Sequence, residues 1–190
     1  TGTDTLAVTG LAGNDVLDVL FNGSSLTTVD GGNLANVERV TADLLAGTNR
    51  LSYAGTGTTT GVTVNLALGQ ASGFVAIANI ADVTGGNFAD SLTGNAQANT
   101  LIGGSGDDTL AGGLGSDTLN GGAGTDTASY AGETDSMFVS LANNTARRGS
   151  AAAAVEDTLS SIENLVGGTG TDLLTGITAA PWLVAGVVGG

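Results

Sequence analysis

Along this chain, apolar residues come in bursts of two or three between glycine-rich polar turns, and from Gly85 the bursts keep a period of nine. Five units run in phase, GGNFADSLT, GNAQANTLI, GGSGDDTLA, GGLGSDTLN and GGAGTDTAS, with Leu92, Leu101, Leu110, Leu119 and Ala128 in the eighth place. So short a period predicts a solenoid or roll in place of a globule. Each unit offers a β-branched Thr and an inward apolar residue, enough for a three-residue strand. Two units then make one coil of about eighteen residues, which puts Leu92, Leu110 and Ala128 on one sheet and Leu101 and Leu119 on the facing sheet. The fold expected is all-β, an elongated parallel β-roll or β-solenoid. The one helix expected is a short one around Ala151 to Val155.

The rest of the chain repeats the plan more loosely. SYAG at Ser52 returns at Ser129, each copy followed by a period-two alternation, GVTVNLA from Gly61 and SMFVSLA from Ser136, that reads as a strand with one buried face. IADVTGG from Ile80 matches IENLVGG from Ile162, DSLTG from Asp90 matches DLLTG from Asp172, and VERV from Val37, a third and weaker copy, precedes the first SYAG. Lone nonads stand at Gly10, GLAGNDVLD with Asp15 in the sixth place, and at Gly167, GGTGTDLLT with Asp172 there. Three regions follow: 1–84, a degenerate roll with long strands; 85–129, the regular nonapeptide roll; and 130–190, a degenerate roll ending in an apolar strand that caps or assembles. The run Leu51 to Ala81 and the stretch RRGSAAAAV from Arg147 read as longer strands and loops.

Composition narrows the function. The chain has 190 residues, no Cys, no His, 33 Gly, 4% aromatic residues and a formal net charge of −14, so its core is thin and built of small side chains. Four arginines and no lysine exclude a phosphate-neutralising surface, hence no nucleic acid. Without His, Cys or Lys the usual nucleophile–base pairs are missing, and most aspartates sit in turns, so no enzyme is expected. The opening TGTDTLAVTG has neither a basic start nor an apolar run and does not read as a cleavable signal. The uncharged segment from Leu173 holds four glycines and Pro181, a poor helix, so no transmembrane segment is expected.

The repeated turn carries the chemistry. Gly-Gly-x-Gly permits positive φ and close backbone approach, and the sixth place holds Asp90, Asn99, Asp108, Asp117 and Asp126. Stacked turns bring these together along two edges, Asp90, Asp108 and Asp126 on one and Asn99 and Asp117 on the other. Carboxylates repel unless a cation joins them, and an all-oxygen site suits Ca²⁺. GGSGDDTLA, GGLGSDTLN and GGAGTDTAS resemble the repeats-in-toxin (RTX) pattern GGxGxDxUx, U being a large apolar residue. That resemblance implies a parallel β-roll with several Ca²⁺ ions in the turns and export by type I secretion. By position it makes ligands of Asp108, Asp117 and Asp126, with carbonyls of Gly103, Gly106, Gly112, Gly115, Gly121 and Gly124. Asp90, Asn99, Asp15 and Asp172 complete the candidates, although Phe88, Gln97 and Asn99 depart from the pattern.

The function expected is a non-enzymatic extracellular calcium-binding structural protein that folds on Ca²⁺ binding and self-assembles at the bacterial surface as a fibre, surface layer or matrix. The alternative is a calcium-dependent module of a larger type I-secreted adhesin or exoenzyme. Partners expected are copies of the chain, a homo-oligomer or polymer through end or edge contacts. Tyr53 and Tyr130 read as packing residues that close a roll end, Glu133 and Asp135 as a solvated turn or terminal calcium ligand, and Arg147 and Arg148 as a solvated loop. The tail PWLVAGVVGG from Pro181 is open between a capping strand and an assembly strand.

Overall fold

The computed structural model describes residues 4–34, 37–150, 153–176 and 183–184. The chain begins with β1 (Thr5–Thr9) and β2 (Val16–Phe21), followed by the short strands β3 (Leu26–Val29) and β4 (Gly32–Asn33). A second coil holds β5 (Arg39–Asp43) and β6 (Arg50–Ser52), and the chain then passes through β7 (Thr63–Asn65) in the facing sheet before leaving the roll through β8 (Gln70–Ala71). It re-enters at β9 (Ala76–Ala78) and β10 (Asp82–Thr84). The regular part follows as β11 (Ser91–Thr93), β12 (Thr100–Ser105), β13 (Thr109–Ala111), β14 (Thr118–Ala123) and β15 (Thr127–Ser129). A second excursion forms β16 (Met137–Ser140) and β17 (Thr145–Arg148), and the roll resumes with β18 (Asp157–Ser160), β19 (Asn164–Val166), β20 (Leu173–Thr175) and β21 (Leu183–Val184).

Successive strands of the coil alternate between two faces and pair in parallel with the strand one coil away. One face is an 11-stranded sheet, in order β20-β16-β17-β18-β14-β12-β10-β6-β2-β3-β4. At about 4.8 Å per strand it runs for roughly 50 Å, so the fold is an elongated parallel β-roll. The other face carries a 7-stranded sheet, β21-β19-β15-β13-β11-β7-β8, and a 3-stranded sheet, β1-β5-β9, which meet where the Ile77 N–H in β9 donates to Gly69 O at 3.0 Å.

Register follows the eighth place. Leu17, Leu51, Val83, Leu101, Leu119 and Leu159 lie side by side in the large sheet, and Val64, Leu92, Leu110, Ala128 and Leu165 in the facing one. All of them are at most 1% exposed, so the two rows interdigitate as the whole of the core's centre. Leu92, Leu110 and Ala128 therefore share one sheet and Leu101 and Leu119 the other, as the period of nine requires.

The second place of each turn shows why glycine is needed. Gly122 has φ +107, and a Cβ there would strike the Gly104 carbonyl of the turn stacked beneath it. Both the backbone angle and the spacing of turns exclude a side chain.

Two expectations change. No helix occurs among the described residues; residues 153–156 are irregular, and 151–152 lie outside the described part. The run 51–81 holds strands of two or three residues, because it spends its length leaving and re-entering the roll. The tail contributes β21, paired in parallel with β19 through Leu165↔Leu183 and Val166↔Val184, while the rest of 181–190 lies outside the described residues.

Leu119→Ala is expected to cost about 2–5 kcal/mol by chemical denaturation, and Leu114→Ala, at an exposed turn position, within about 0.5 kcal/mol of none. Equal effects would contradict the assignment of the core row.

Candidate metal centre

Each sixth-place residue is held by the backbone of two coils at once. In the regular nonads the N–H of Asp90, Asn99, Asp108, Asp117 and Asp126 donates to the sixth-place side chain of the next coil, and the N–H that follows Asp108, Asp117 and Asp126 donates to the sixth-place carbonyl of the previous coil. On one edge the Asp90 N–H donates to Asp108 Oδ1 at 2.7 Å and the Asp108 N–H to Asp126 Oδ1 at 2.8 Å, each step spanning 18 residues. The Thr109 N–H donates to Asp90 O and the Thr127 N–H to Asp108 O, both at 2.8 Å. The row extends at its ends to the Val62 N–H, which donates to Asp90 Oδ1, and to Glu163, whose Oε2 accepts the Asp126 N–H. On the other edge the Asn99 N–H donates to Asp117 Oδ1 and the Asp117 N–H to Asp157 Oδ1.

One oxygen of each carboxylate is thus fixed, and the other decides the chemistry. Oδ2 of Asp108, Asp117, Asp126 and Asp172 is buried without a hydrogen-bond partner among the described residues. Asp108 Oδ2 faces the place a Cβ would take on Gly103, 2.6 Å from which lies Gly121 O of the next coil. The same arrangement recurs at Gly121, with Asp126 Oδ2 and Ser161 O, and at Gly85, with Asp90 Oδ2 and Gly103 O. At Gly94 it is Asn99 Oδ1 that faces Gly112 O. At Gly85, Gly103 and Gly121 the first-place glycine therefore leaves a small all-oxygen cradle, one carboxylate oxygen from its own unit and one carbonyl from the next coil.

Lone buried oxygens of negative charge beside carbonyl oxygens fit a hard cation. Among the described residues no three carboxylates converge on one point, because coil stacking spaces them one strand apart. Backbone carbonyls would supply the balance of the ligands.

Burial penalises the charged form of these acids. It pushes Asp108 up to about 7 and Asp117 up to about 6, and Asp90, Asp126 and Asp157 above the ordinary carboxylate value. Neighbouring carboxylates add to the rise, at Asp108 from Asp90, Asp126 and Asp107.

Other candidates stand as follows. Asp90 has both oxygens occupied, Oδ2 accepting the Gly86 N–H at 2.6 Å. Asp15 Oδ2 accepts the Leu11 N–H at 3.0 Å and lies with Leu44 O around the Cβ place of Gly10. Asp172 Oδ1 accepts the Met137 N–H from the excursion. Gly106, Gly115 and Gly124 take positive φ, and the Gly106 carbonyl lies under Gly124.

Glu133 is not a solvated turn, nor Arg148 a solvated loop: Arg148 pairs with Glu133, reaches Glu156 at 3.1 Å and donates to Gly113 O at 3.4 Å, clamping the excursion to the roll. Tyr53 and Tyr130 do not close a roll end. Each is buried where an excursion leaves a coil, its hydroxyl donating to Ser72 O at 2.6 Å and to Asp157 Oδ2 at 3.0 Å respectively.

Asp157, Glu163 and Asn49 also stand in sixth places, and their neighbours 159, 165 and 51 carry the eighth-place leucines. Only that trailing leucine signals them in the sequence, because the steps between coils are 40, 37 and 34 residues there in place of 18.

Three overlapping stretches, 84–119, 93–128 and 102–136, match the family of the RTX calcium-binding nonapeptide repeat. The chain carries RTX repeats. Those repeats bind Ca²⁺ at several sites, so calcium is the cation of the turns within 84–136, and RTX repeats are typical of secreted proteins. None of the curated proteins matches the chain. Among the described residues no helix is long and apolar enough to cross a membrane.

Acid is expected to substitute in part for the metal. The folded acids are raised above the unfolded value of about 4, so they stabilise the metal-free RTX roll below that pH and the contribution is lost as pH rises through about 6 to 7. Circular dichroism in calcium-stripped buffer should therefore show β signal increasing from pH 7 toward pH 5; a decrease contradicts the cause given.

Proposed function

We propose that this chain is a non-enzymatic, extracellular structural protein that folds when its turns take up calcium and then assembles with its own copies at a bacterial surface. The observation that carries the first half is the set of buried carboxylate oxygens without a partner among the described residues at Asp108, Asp117, Asp126 and Asp172. In the unfolded chain those oxygens are hydrated, and folding strips the water without a donor to replace it. Calcium, when bound, supplies the positive charge that the composition lacks. Gly103, Gly112 and Gly121 supply the carbonyls, Asp108, Asp117 and Asp126 the carboxylates, and Asp90, Asp15, Asp172 and Asn99 the further oxygens of this reading. With a net charge of −14 and 33 glycines, self-repulsion and chain entropy oppose folding where free calcium is scarce. Extracellular modules bind with dissociation constants of roughly 10⁻⁴ to 10⁻³ M, so binding and folding are coupled outside the cell.

Assembly is supported by the sheets' ends. Among the described residues β1 and β21 each have a partner on one side only, which leaves backbone donors and acceptors for another strand. The paired β21 belongs to the apolar tail, which this reading makes the assembling element.

Two measurements test the proposal. Adding Ca²⁺ is expected to convert the chain from coil to β by circular dichroism, and Asp108→Asn with Asp126→Asn to raise the calcium needed; full folding in excess chelator overturns the first half. Electron microscopy with Ca²⁺ is expected to show sheets or filaments that deletion of Pro181 to Gly190 abolishes. A monodisperse monomer would favour a module of a larger secreted adhesin or exoenzyme.

A further inference from the structure

Two asparagines occupy sixth places on the same edge, and they face opposite ways. Asn99 turns its oxygen toward the cradle: Oδ1 accepts the Asn95 N–H at 2.7 Å and lies beside Gly112 O at the Cβ place of Gly94, while Nδ2 donates backward to Ala81 O at 2.7 Å. Asn49 is reversed. Its Oδ1 accepts the Asp15 N–H at 2.9 Å, and its Nδ2 donates to Leu44 O at 3.0 Å, Leu45 O at 3.0 Å and Asn79 O at 2.8 Å.

Those carbonyls hold a definite place in the coil. Leu44 opens the unit that ends in β6, as Gly121 opens the unit that ends in β15. Asn79 precedes β10 at the tight turn that Ser161 occupies before β19; both have positive φ, 56 and 49, and the isoleucine after each is buried. Ser161 O faces the unpartnered Asp126 Oδ2, whereas Asn79 O receives the Asn49 amide. Asn49 is 0% exposed, and no polar atom of its side chain is left without a partner among the described residues. Its orientation is chemically fixed, because reversal would set oxygen against three carbonyls and N–H against N–H.

A cation does not fit this turn. We propose that the Asn49 amide is a built-in substitute for calcium: its N–H groups hold together the carbonyls of two coils that an ion joins elsewhere, so the turn 44–49 closes at any calcium concentration. This rests on the reading of the carboxylate turns as calcium seats. It gives the roll a fixed first joint, between the coil of β5 and β6 and the coil of β9 and β10, from which calcium-dependent stacking can proceed.

Asn49→Asp sets a carboxylate against the same carbonyls and recreates the arrangement at Asp126. Native mass spectrometry and equilibrium dialysis of the full chain are expected to find one more Ca²⁺ bound by Asn49→Asp than by the wild type, with a higher calcium midpoint for folding. Asn49→Ala is expected to keep the wild-type ion count while its calcium midpoint also rises. An unchanged count in Asn49→Asp, or the loss of an ion in Asn49→Ala, overturns the proposal while leaving the other seats standing. A wild-type chain that takes up no calcium overturns those seats and this inference together.

Discussion

Everything in this roll depends on the double use of the sixth-place side chain. One oxygen accepts an N–H from the previous coil, as Asp108 Oδ1 does from Asp90, and so fixes the stacking of turn on turn. That bond pins the carboxylates one strand apart, about 4.8 Å, where two full charges repel by about 3 kcal/mol at an effective dielectric constant of about 20. Burial adds to the cost, as the raised values at Asp108 and Asp117 show. The contact that builds the edge therefore also creates its need for positive charge. Calcium answers that need in the RTX turns, and at Asn49 a side-chain amide does the same work with no ion.

Glycine and leucine serve that constraint from either side. First-place glycine keeps open the cradle between Asp108 Oδ2 and Gly121 O, and second-place glycine lets Gly122 ride on Gly104. Eighth-place leucines close the space between sheets that are only a few residues wide. A core this thin leaves little surplus to absorb an unneutralised edge, which couples core and turns into one cooperative unit.

The excursions after β6 and β15 are absorbed without breaking the stack. Tyr53 and Tyr130 mark where each leaves, and both return as antiparallel hairpins added to a sheet, β7–β8 beside β11 and β16–β17 beside β18 and β20. The second is also tied down by charge, through Arg148 with Glu133 and Glu156. Nothing in RRGSAAAAV announces that clamp, since ion-pair partners 8 and 15 residues away become neighbours only when the hairpin folds back.

Where the period of nine is unbroken, the sequence alone determined the strands, the two core rows and the carboxylates that stack, because one nonad is half a coil and phase translates directly into position. Where insertions break the phase, as before Asp157 and Glu163, the same places were invisible until the strand pairings located them. The repeated phrases show the difference best. SYAG, IADV and DSLTG return as SYAG, IENL and DLLTG, yet Val83 and Leu165 lie on opposite faces, as do Leu92 and Leu174. The first SYAG begins at the last residue of β6 in the large sheet and the second at the last residue of β15 in the facing sheet, so the second copy starts half a turn round. The sequence could show that the unit repeats; only the winding of the roll decided which face each copy occupies, and which way an asparagine amide points between two coils.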